Sequence, residues 1–225
     1  MIKSLIILAV FSSSLLAQTT IEPSQPTHYL YTPTAHVNPP YHLVLSFREI
    51  SYALPGDIQV QASILDNIGR LSFGAKYGFS ENLSLGVGIA STLIRVPNGV
   101  HGIPEGARPR FGMFLTYGFV QDYNFQMAVT PHTQIGDSRI SMGADLGFIV
   151  TPVDVWSFMG ETGLSLDFYD SNLYLYLAGG LRIHPPTIPF MNFDIGIDIT
   201  EFPVNAGGGP EIAIFFDVIF SMITM

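Results

Sequence analysis

The stretch from Gly69 to Leu93 reads GRLSFGAKYGF, then SEN, then LSLGVGIASTL. On both arms large apolar residues alternate with small or polar ones, and three polar residues separate the arms. Strict period-2 alternation on two arms joined by a short turn predicts a β-hairpin. One face is large and apolar, whereas the other carries mostly glycine and serine, with Lys76. This contrast indicates strands whose apolar side faces lipid and whose small side chains face a narrow interior.

The composition of the whole chain shows the same contrast. The 225 residues are 48% hydrophobic but only 12% charged, and this length suffices for one domain with a sizeable closed sheet. Beyond the N-terminus no apolar run reaches the roughly 18 residues of a membrane-spanning helix. High hydrophobicity without such a run is typical of a transmembrane β-barrel, because its apolar residues are interleaved with interior ones.

Charge and cysteine content exclude two kinds of interaction. The formal net charge is −9 and no dense Lys/Arg run occurs, which argues against a nucleic-acid partner, since phosphates need a basic patch. The chain contains no cysteine, so it forms no disulfide and carries no lipid on an N-terminal cysteine. Its stability must therefore come from the sheet and its surroundings.

The chain divides into three segments. Residues 1–17 are predicted to be a signal peptide, with Lys3 as the positive start, an apolar core, and small Ala17 before the cleavage site. The alternative is a short buried strand or helix. Residues 18–40 are rich in Pro, Thr and His without periodicity, and they are interpreted as an irregular periplasmic lead-in or a segment entering the barrel. Residues 41–225 form the predicted barrel domain.

Period-2 alternation predicts further strands around the central hairpin. Ten strands in an up-and-down antiparallel barrel is the first prediction, and twelve is the alternative. Residues 53–68 alternate weakly, and a full strand there would make the total odd, so we interpret them as a loop. None of the predicted outward residues is charged. Besides the hairpin arms, the predicted strands are 41–51, 110–119, 124–132, 139–150, 155–167, 172–184, 191–202 and 211–224.

This pattern resembles small bacterial outer-membrane β-barrel proteins of eight to twelve strands, within the porin-like superfamily. The resemblance is architectural and covers about residues 41–225. The sequence YTPTA at residues 31–35 is similar to a phrase before the first strand of some uncharacterised members. The resemblance implies a location in the outer membrane of a Gram-negative bacterium and contact with its lipid, but it carries no activity across.

Charged and aromatic residues on the predicted inward face are the candidate site. A charge isolated in a narrow barrel costs several kcal/mol, so these residues are interpreted first as a salt-bridge network and second as a constriction that selects small solutes. Tyr174 and Tyr176 share this face and either fill volume or stack on a solute. Asp194 and Asp198 lie about 13 Å apart along one strand, too far to share one metal ion. The charged set is Arg48, Lys76, Arg110, Asp145, Glu161, Arg182, Asp194, Asp198 and Asp217.

Three functions remain open at this point. The first is a non-enzymatic barrel with a structural role or a narrow passive pore for small solutes. It has no catalytic residues and no cofactor, and no metal site, since the histidines do not cluster. The second is an outer-membrane hydrolase of omptin type that uses His101, His132 and Asp137 at the outer rim. A serine hydrolase would instead need Ser and His on neighbouring strands at matched depth. The third is a secreted soluble β-sandwich with its glycine-rich face outside.

Overall fold

The sheet closes on itself. The computed structural model describes residues 33–47, 49–63, 70–92, 110–122, 124–136, 139–169, 171–203 and 212–224. Within these ranges the chain forms twelve strands, each antiparallel to the next, and β1 pairs with β12 to complete a barrel. The strands are β1 His42–Leu45, β2 Glu49–Leu54, β3 Ile58–Ser63, β4 Arg70–Ser80, β5 Leu83–Thr92, β6 Arg110–Gln121, β7 Phe125–Gly136, β8 Arg139–Val153, β9 Trp156–Asp167, β10 Asn172–Ile183, β11 Met191–Pro203 and β12 Ile212–Ile223.

The prediction of ten strands is wrong, and the alternative of twelve is correct for the described residues. The predicted strand 41–51 is two strands, β1 and β2. Between them, Ser46 N–H donates to Glu49 O at 2.8 Å and Glu49 N–H donates to Ser46 Oγ at 3.0 Å. The interpretation of residues 53–68 as a loop also missed β3, which pairs with both β2 and β4. Splitting the strand 41–51 adds one strand and β3 adds another. The total therefore stays even, as an up-and-down antiparallel barrel requires.

The two faces of the sheet are inverted relative to a soluble protein. Large apolar side chains lie outside, with Phe73 53%, Met113 50% and Phe216 55% exposed, whereas inward polar residues such as Thr116 and Thr130 are almost fully buried. A soluble domain buries the opposite set. The prediction of a transmembrane antiparallel β-barrel is therefore confirmed, and the soluble β-sandwich is wrong, because a single closed sheet turns its apolar face outward. Among the described residues, no helix is long and apolar enough to cross a membrane.

The two ends of the barrel differ. At one end, called the turn end, the strands are joined by residues 55–57, 81–82, 122–124, 154–155 and 184–190, and β1 begins beside the end of β12. The other end, called the loop end, carries connections that include residues 64–69, 93–109 and 204–211.

A charge placed on the outward face tests the lipid contact. Ile197 lies in the central part of β11 and is 53% exposed. We expect Ile197→Arg to lower the free energy of unfolding by about 2–4 kcal/mol, since an arginine near the bilayer midplane is poorly solvated. Urea titration of protein folded into phospholipid vesicles measures this loss, with Ile197→Leu as the control. Equal stability of the two variants would mean that this face does not meet lipid.

Candidate functional site

The lead-in segment, defined here as residues 33–40, lies inside the barrel. Thr34 and Ala35 are fully buried and Asn38 is 4% exposed. The segment contacts inward-facing residues of β3, β4 and β6 rather than the outer surface. The predicted signal peptide and residues 18–32 lie outside the described residues.

Lys76 on β4 holds the lead-in segment by its backbone. The Lys76 ammonium donates to Thr34 O at 3.4 Å and to His36 O at 2.5 Å. Lys76 is only 1% exposed, and a buried ammonium is tolerated only where acceptors replace its water shell. Nearby, Asn38 N–H donates to Gln59 Oε1 at 3.4 Å, from the neighbouring strand β3. Backbone groups of the lead-in segment thus solvate a charge that the barrel wall carries.

Two glycines make room for the segment. A Cβ at Gly78 would lie 3.1 Å from Val37 Cγ2. A Cβ at Gly118 would lie 3.2 Å from Ala35 Cβ, but it would first meet the Gln121 side chain, at 1.7 Å from Nε2. A bulky residue at Gly78 would therefore press directly on the segment, whereas one at Gly118 would also have to displace Gln121. Glycine at these inward positions allows another backbone to approach the wall closely.

His36 is held neutral in the docked segment. Burial, the positive charge of Lys76 and the neighbouring His42 together lower the pKa of His36 to about 4, and burial is the largest of the three causes. The docked state therefore binds fewer protons than a released segment with an ordinary histidine pKa. Docking is fully favoured above about pH 6.5 and loses stability as the pH falls towards about 4.

Tyr41 turns the chain from the lumen into the wall. Its φ of 68° lies in the left-handed region, which is strained for a bulky residue and costs about 1–3 kcal/mol. The strained residue is fixed by hydrogen bonds on both sides, because Tyr41 N–H donates to Ala53 O at 2.7 Å and Thr224 N–H donates to Tyr41 O at 2.8 Å. The reversal is thus anchored on β2 and on the residue that follows β12.

A second charged group joins β10, β11 and β12 across the inner wall. Arg182 donates from Nε and Nη2 to the two carboxylate oxygens of Asp194 at 2.8 and 2.7 Å. Asp194 lies directly opposite Asp217 in the register of β11 and β12, and each of the three residues is 5% exposed. Asp217 Oδ1 accepts from Phe47 N–H at 2.9 Å, so the same group ties down the turn between β1 and β2.

The remaining predicted charges occupy different places. Asp145 on β8 pairs with His132 on β7 at 3.1 Å, with side chains 13% and 18% exposed. Glu161 is 3% exposed, and Asp198 occupies an inward position of β11, opposite Ala178. Arg48 lies outside the described residues, and so do His101 and Asp137 of the hydrolase hypothesis; Arg110 begins β6, but its side chain is not described.

The two predicted lumen tyrosines are half-buried residues of β10. Tyr174 and Tyr176 are paired in register with Ser165 and Gly163 of β9. A Cβ at Gly163 would meet the Tyr176 ring at 2.2 Å, so this ring covers the neighbouring strand. This contact accounts for the glycine at position 163 and for part of the lumen volume.

The lumen also contains an apolar cluster that the sequence analysis did not predict. It combines Ala128, Ile149, Met159 and Phe215, with Ala178 packed against it. All five occupy inward positions of their strands, so the alternation pattern assigned them to the inner face without revealing their contacts. The rings of Phe215 and Phe114 lie over Gly196 and Gly86, where a Cβ would meet them at 2.3 and 1.9 Å. Part of the interior is therefore filled with side chains.

A serine, a histidine and an asparagine form a hydrogen-bonded relay at the turn end. Ser157 Oγ lies 3.0 Å from His184 Nε2, and His184 Nδ1 lies 2.9 Å from Asn192 Oδ1. Burial lowers the pKa of His184, and a neutral ring with its proton on Nδ1 satisfies both bonds. The distances match those of a catalytic nucleophile and its base. However, Ser157 is fully buried and its hydroxyl also bonds Thr151 Oγ1 at 2.8 Å, so the relay is a structural link between β8, β9 and β11.

The described residues hold no group of three or more His, Asp or Glu side chains arranged to bind a metal ion. A similar serine–histidine contact joins His42 of β1 to Ser221 of β12 across the closing seam of the barrel. These contacts link neighbouring strands of the wall.

Loss of Arg182 tests the charged group. We expect Arg182→Met to lower the free energy of unfolding by about 3–5 kcal/mol, because Asp194 and Asp217 would remain buried opposite each other without their cation. The double variant Arg182→Met/Asp194→Leu should recover part of this loss. Chemical unfolding in vesicles measures both values, and an unaltered stability of the single variant would show that the pair is solvated.

The serine relay gives a prediction with a matched control. A fluorophosphonate probe should leave Ser157 unlabelled, since its phosphorus centre cannot reach a fully buried hydroxyl to form the phosphonate ester and release fluoride. Ser157→Ala should cost about 1–3 kcal/mol of unfolding free energy by leaving buried partners unsatisfied. Ser84 is equally buried, but its hydroxyl has no hydrogen-bond partner among the residues that the structure describes, so Ser84→Ala should cost little. Stoichiometric labelling of Ser157 would instead identify it as a nucleophile.

Comparison with known proteins supports the fold. No family model and no curated protein matches the sequence. A solved structure of the NanC porin matches with a TM-score of 0.54 at 11% identity and covers 82% of this chain and 99% of that one. A crystal structure of the outer membrane channel DcaP of Acinetobacter baumannii has a TM-score of 0.44 at 9% identity and covers 91% of this chain and 70% of that one, a score too low for a common fold to be argued from it. The chain therefore shares the closed antiparallel β-barrel fold of the NanC porin structure.

Proposed function

We propose that this protein is a narrow passive channel for small hydrophilic solutes in the outer membrane of a Gram-negative bacterium. The observation that supports it is the inverted barrel, with apolar side chains outside and hydrogen-bonding groups along the inner wall. A polar interior spanning the bilayer offers solutes a path that the hydrocarbon does not. The predicted signal peptide at residues 1–17 would supply the export that this location requires.

The channel is narrowest near the turn end. Inward residues there have almost no accessible surface, including Gln59 at 0%, Lys76 at 1% and Ser157 at 0%. A continuous water-filled pore would leave such side chains in contact with water. Further towards the loop end, His132 and Asp145 retain 18% and 13% of their side-chain surface. This burial supports the proposal that the channel is closed or nearly closed at this end.

The competing proposal within the same fold is a purely structural barrel. A filled interior with a salt bridge and apolar contacts favours stability, and such a barrel would conduct nothing. The hydrolase alternative has no support among the described residues, because the Ser157 relay is buried and His132 pairs with Asp145 on the inner wall. The test must therefore separate a channel from an inert barrel.

Two neighbouring phenylalanines on β12 provide that test. Phe215 points inward and is 8% exposed, whereas Phe216 points outward and is 55% exposed. We expect the full-length protein in planar bilayers to give small, discrete conductance steps. Phe215→Ala should enlarge each step by removing a ring from the lumen, and Phe216→Ala should leave the step size unchanged.

One result of these recordings would contradict the channel proposal. If neither the natural chain nor Phe215→Ala conducts above the level of protein-free bilayers, the channel proposal fails and the barrel is structural. Circular dichroism of each preparation confirms that the compared variants contain the same amount of sheet.

A further inference from the structure

We propose that the inner wall carries a peptide-binding strip, formed by Gln59, Lys76, Gly78 and Gly118, whose occupant is residues 33–40 of the same chain. Release of this segment from the strip opens the channel. The inference rests on the proposed channel function and adds how the lumen is closed and opened. From here on, these four wall residues are called the docking strip.

The docking strip recognises backbone rather than particular side chains. Lys76 binds the carbonyls of residues 34 and 36, and Gln59 accepts from the N–H of residue 38. Gly78 and Gly118 provide the space in which an extended chain lies against the wall. The cation and the amide bind backbone carbonyls and an N–H, and the glycines leave space for the backbone, so together they can hold an extended peptide.

Residues 34–40 lie on the wall without forming a strand, and Pro33 forms a single bridge. The prolines at positions 33, 39 and 40 lack the N–H that a sheet ladder needs. The ladder of β1 begins only at His42, after the reversal at Tyr41. Undocking therefore breaks the bridge at Pro33 and a few side-chain hydrogen bonds, and it leaves the pairs among β1 to β12 intact.

The position of the segment matches the closed part of the lumen. It touches β3, β4 and β6, whose inward residues Gln59, Lys76 and Thr116 are among the most buried in the described chain. Release would return this part of the wall to water. Acidification also favours release of the segment. Protonation of His36 places a second positive charge near Lys76 and His42. The carboxylate that acts on Lys76 is Glu49.

A reversible cross-link tests the proposal in the full-length chain. The Cβ of Val37 lies 3.6 Å from the Cβ position of Gly78, which is within the range of a disulfide, and the chain has no other cysteine. Each Val37→Cys/Gly78→Cys thiol loses its hydrogen and the two sulfurs join when diamide is added as the oxidant. We expect oxidation to abolish the conductance steps in planar bilayers and dithiothreitol to restore them. The single variants Val37→Cys and Gly78→Cys should not respond.

A second pair of variants tests the docking proposal by displacing the segment instead of fixing it. Gly78→Leu fills the place of Val37 and should raise the open probability several-fold. Gly112→Leu is the matched control, because a Cβ at this inward glycine of β6 meets nothing closer than 3.9 Å, and the added side chain should leave the open probability unchanged or lower it.

The outcomes separate this inference from the channel proposal. Conductance that is equal in the oxidised and reduced double variant would overturn the docking proposal and leave the channel standing. Failure of the two cysteines to cross-link would contradict the docked position itself. Absence of conductance from every variant, including reduced protein, Gly78→Leu and Phe215→Ala, would overturn both proposals.

Discussion

The structure depends on closure of the sheet at β1 and β12. Lipid offers no hydrogen-bond partner, so a spanning sheet with a free edge would leave a row of backbone groups unsatisfied. Here the closure involves only four register pairs, from His42 with Ile223 to Leu45 with Phe220. Bonds outside the ladder reinforce it, from Thr224 N–H to Tyr41 O and from Phe47 N–H to Asp217. The shortest strand therefore carries the constraint on which the inverted faces depend.

Closure creates the second constraint, a confined polar interior. Each inward polar group must find a partner within the lumen, because a buried unpaired charge is costly. Arg182 meets Asp194 on the adjacent strand, whereas Lys76 uses carbonyls from a segment about forty residues earlier in the chain. The lead-in segment solvates a charge of the wall, and in this position it also occupies the space through which a solute would pass.

The Ser157 relay shows why distance alone does not identify a catalytic site. Its two hydrogen bonds have the lengths of a nucleophile and its base, yet the hydroxyl is fully buried and shared with Thr151. A neutral His184 between a donor and an acceptor satisfies three otherwise costly buried groups. In a barrel whose interior is polar, such relays are expected as structural links between strands. Access of a substrate is the criterion that distinguishes the two cases.

The sequence by itself determined the class of fold and the side of the sheet that meets lipid. Period-2 alternation is a local property, and residues such as Phe73, Met113 and Ile197 could be placed outside from their neighbours alone. The predicted number of strands was wrong where the sequence signals of strands and turns are weakest. The connection at residues 46–48 contains neither Gly nor Pro, and β3 is only six residues long. Only the tertiary structure decided which groups meet inside. Lys76 contacts residues 34–36, Ser157 contacts His184, and Phe215 and Met159 belong to one apolar cluster, although these segments are far apart in the chain. Closure and register set those contacts, and neither can be calculated from alternation within one strand.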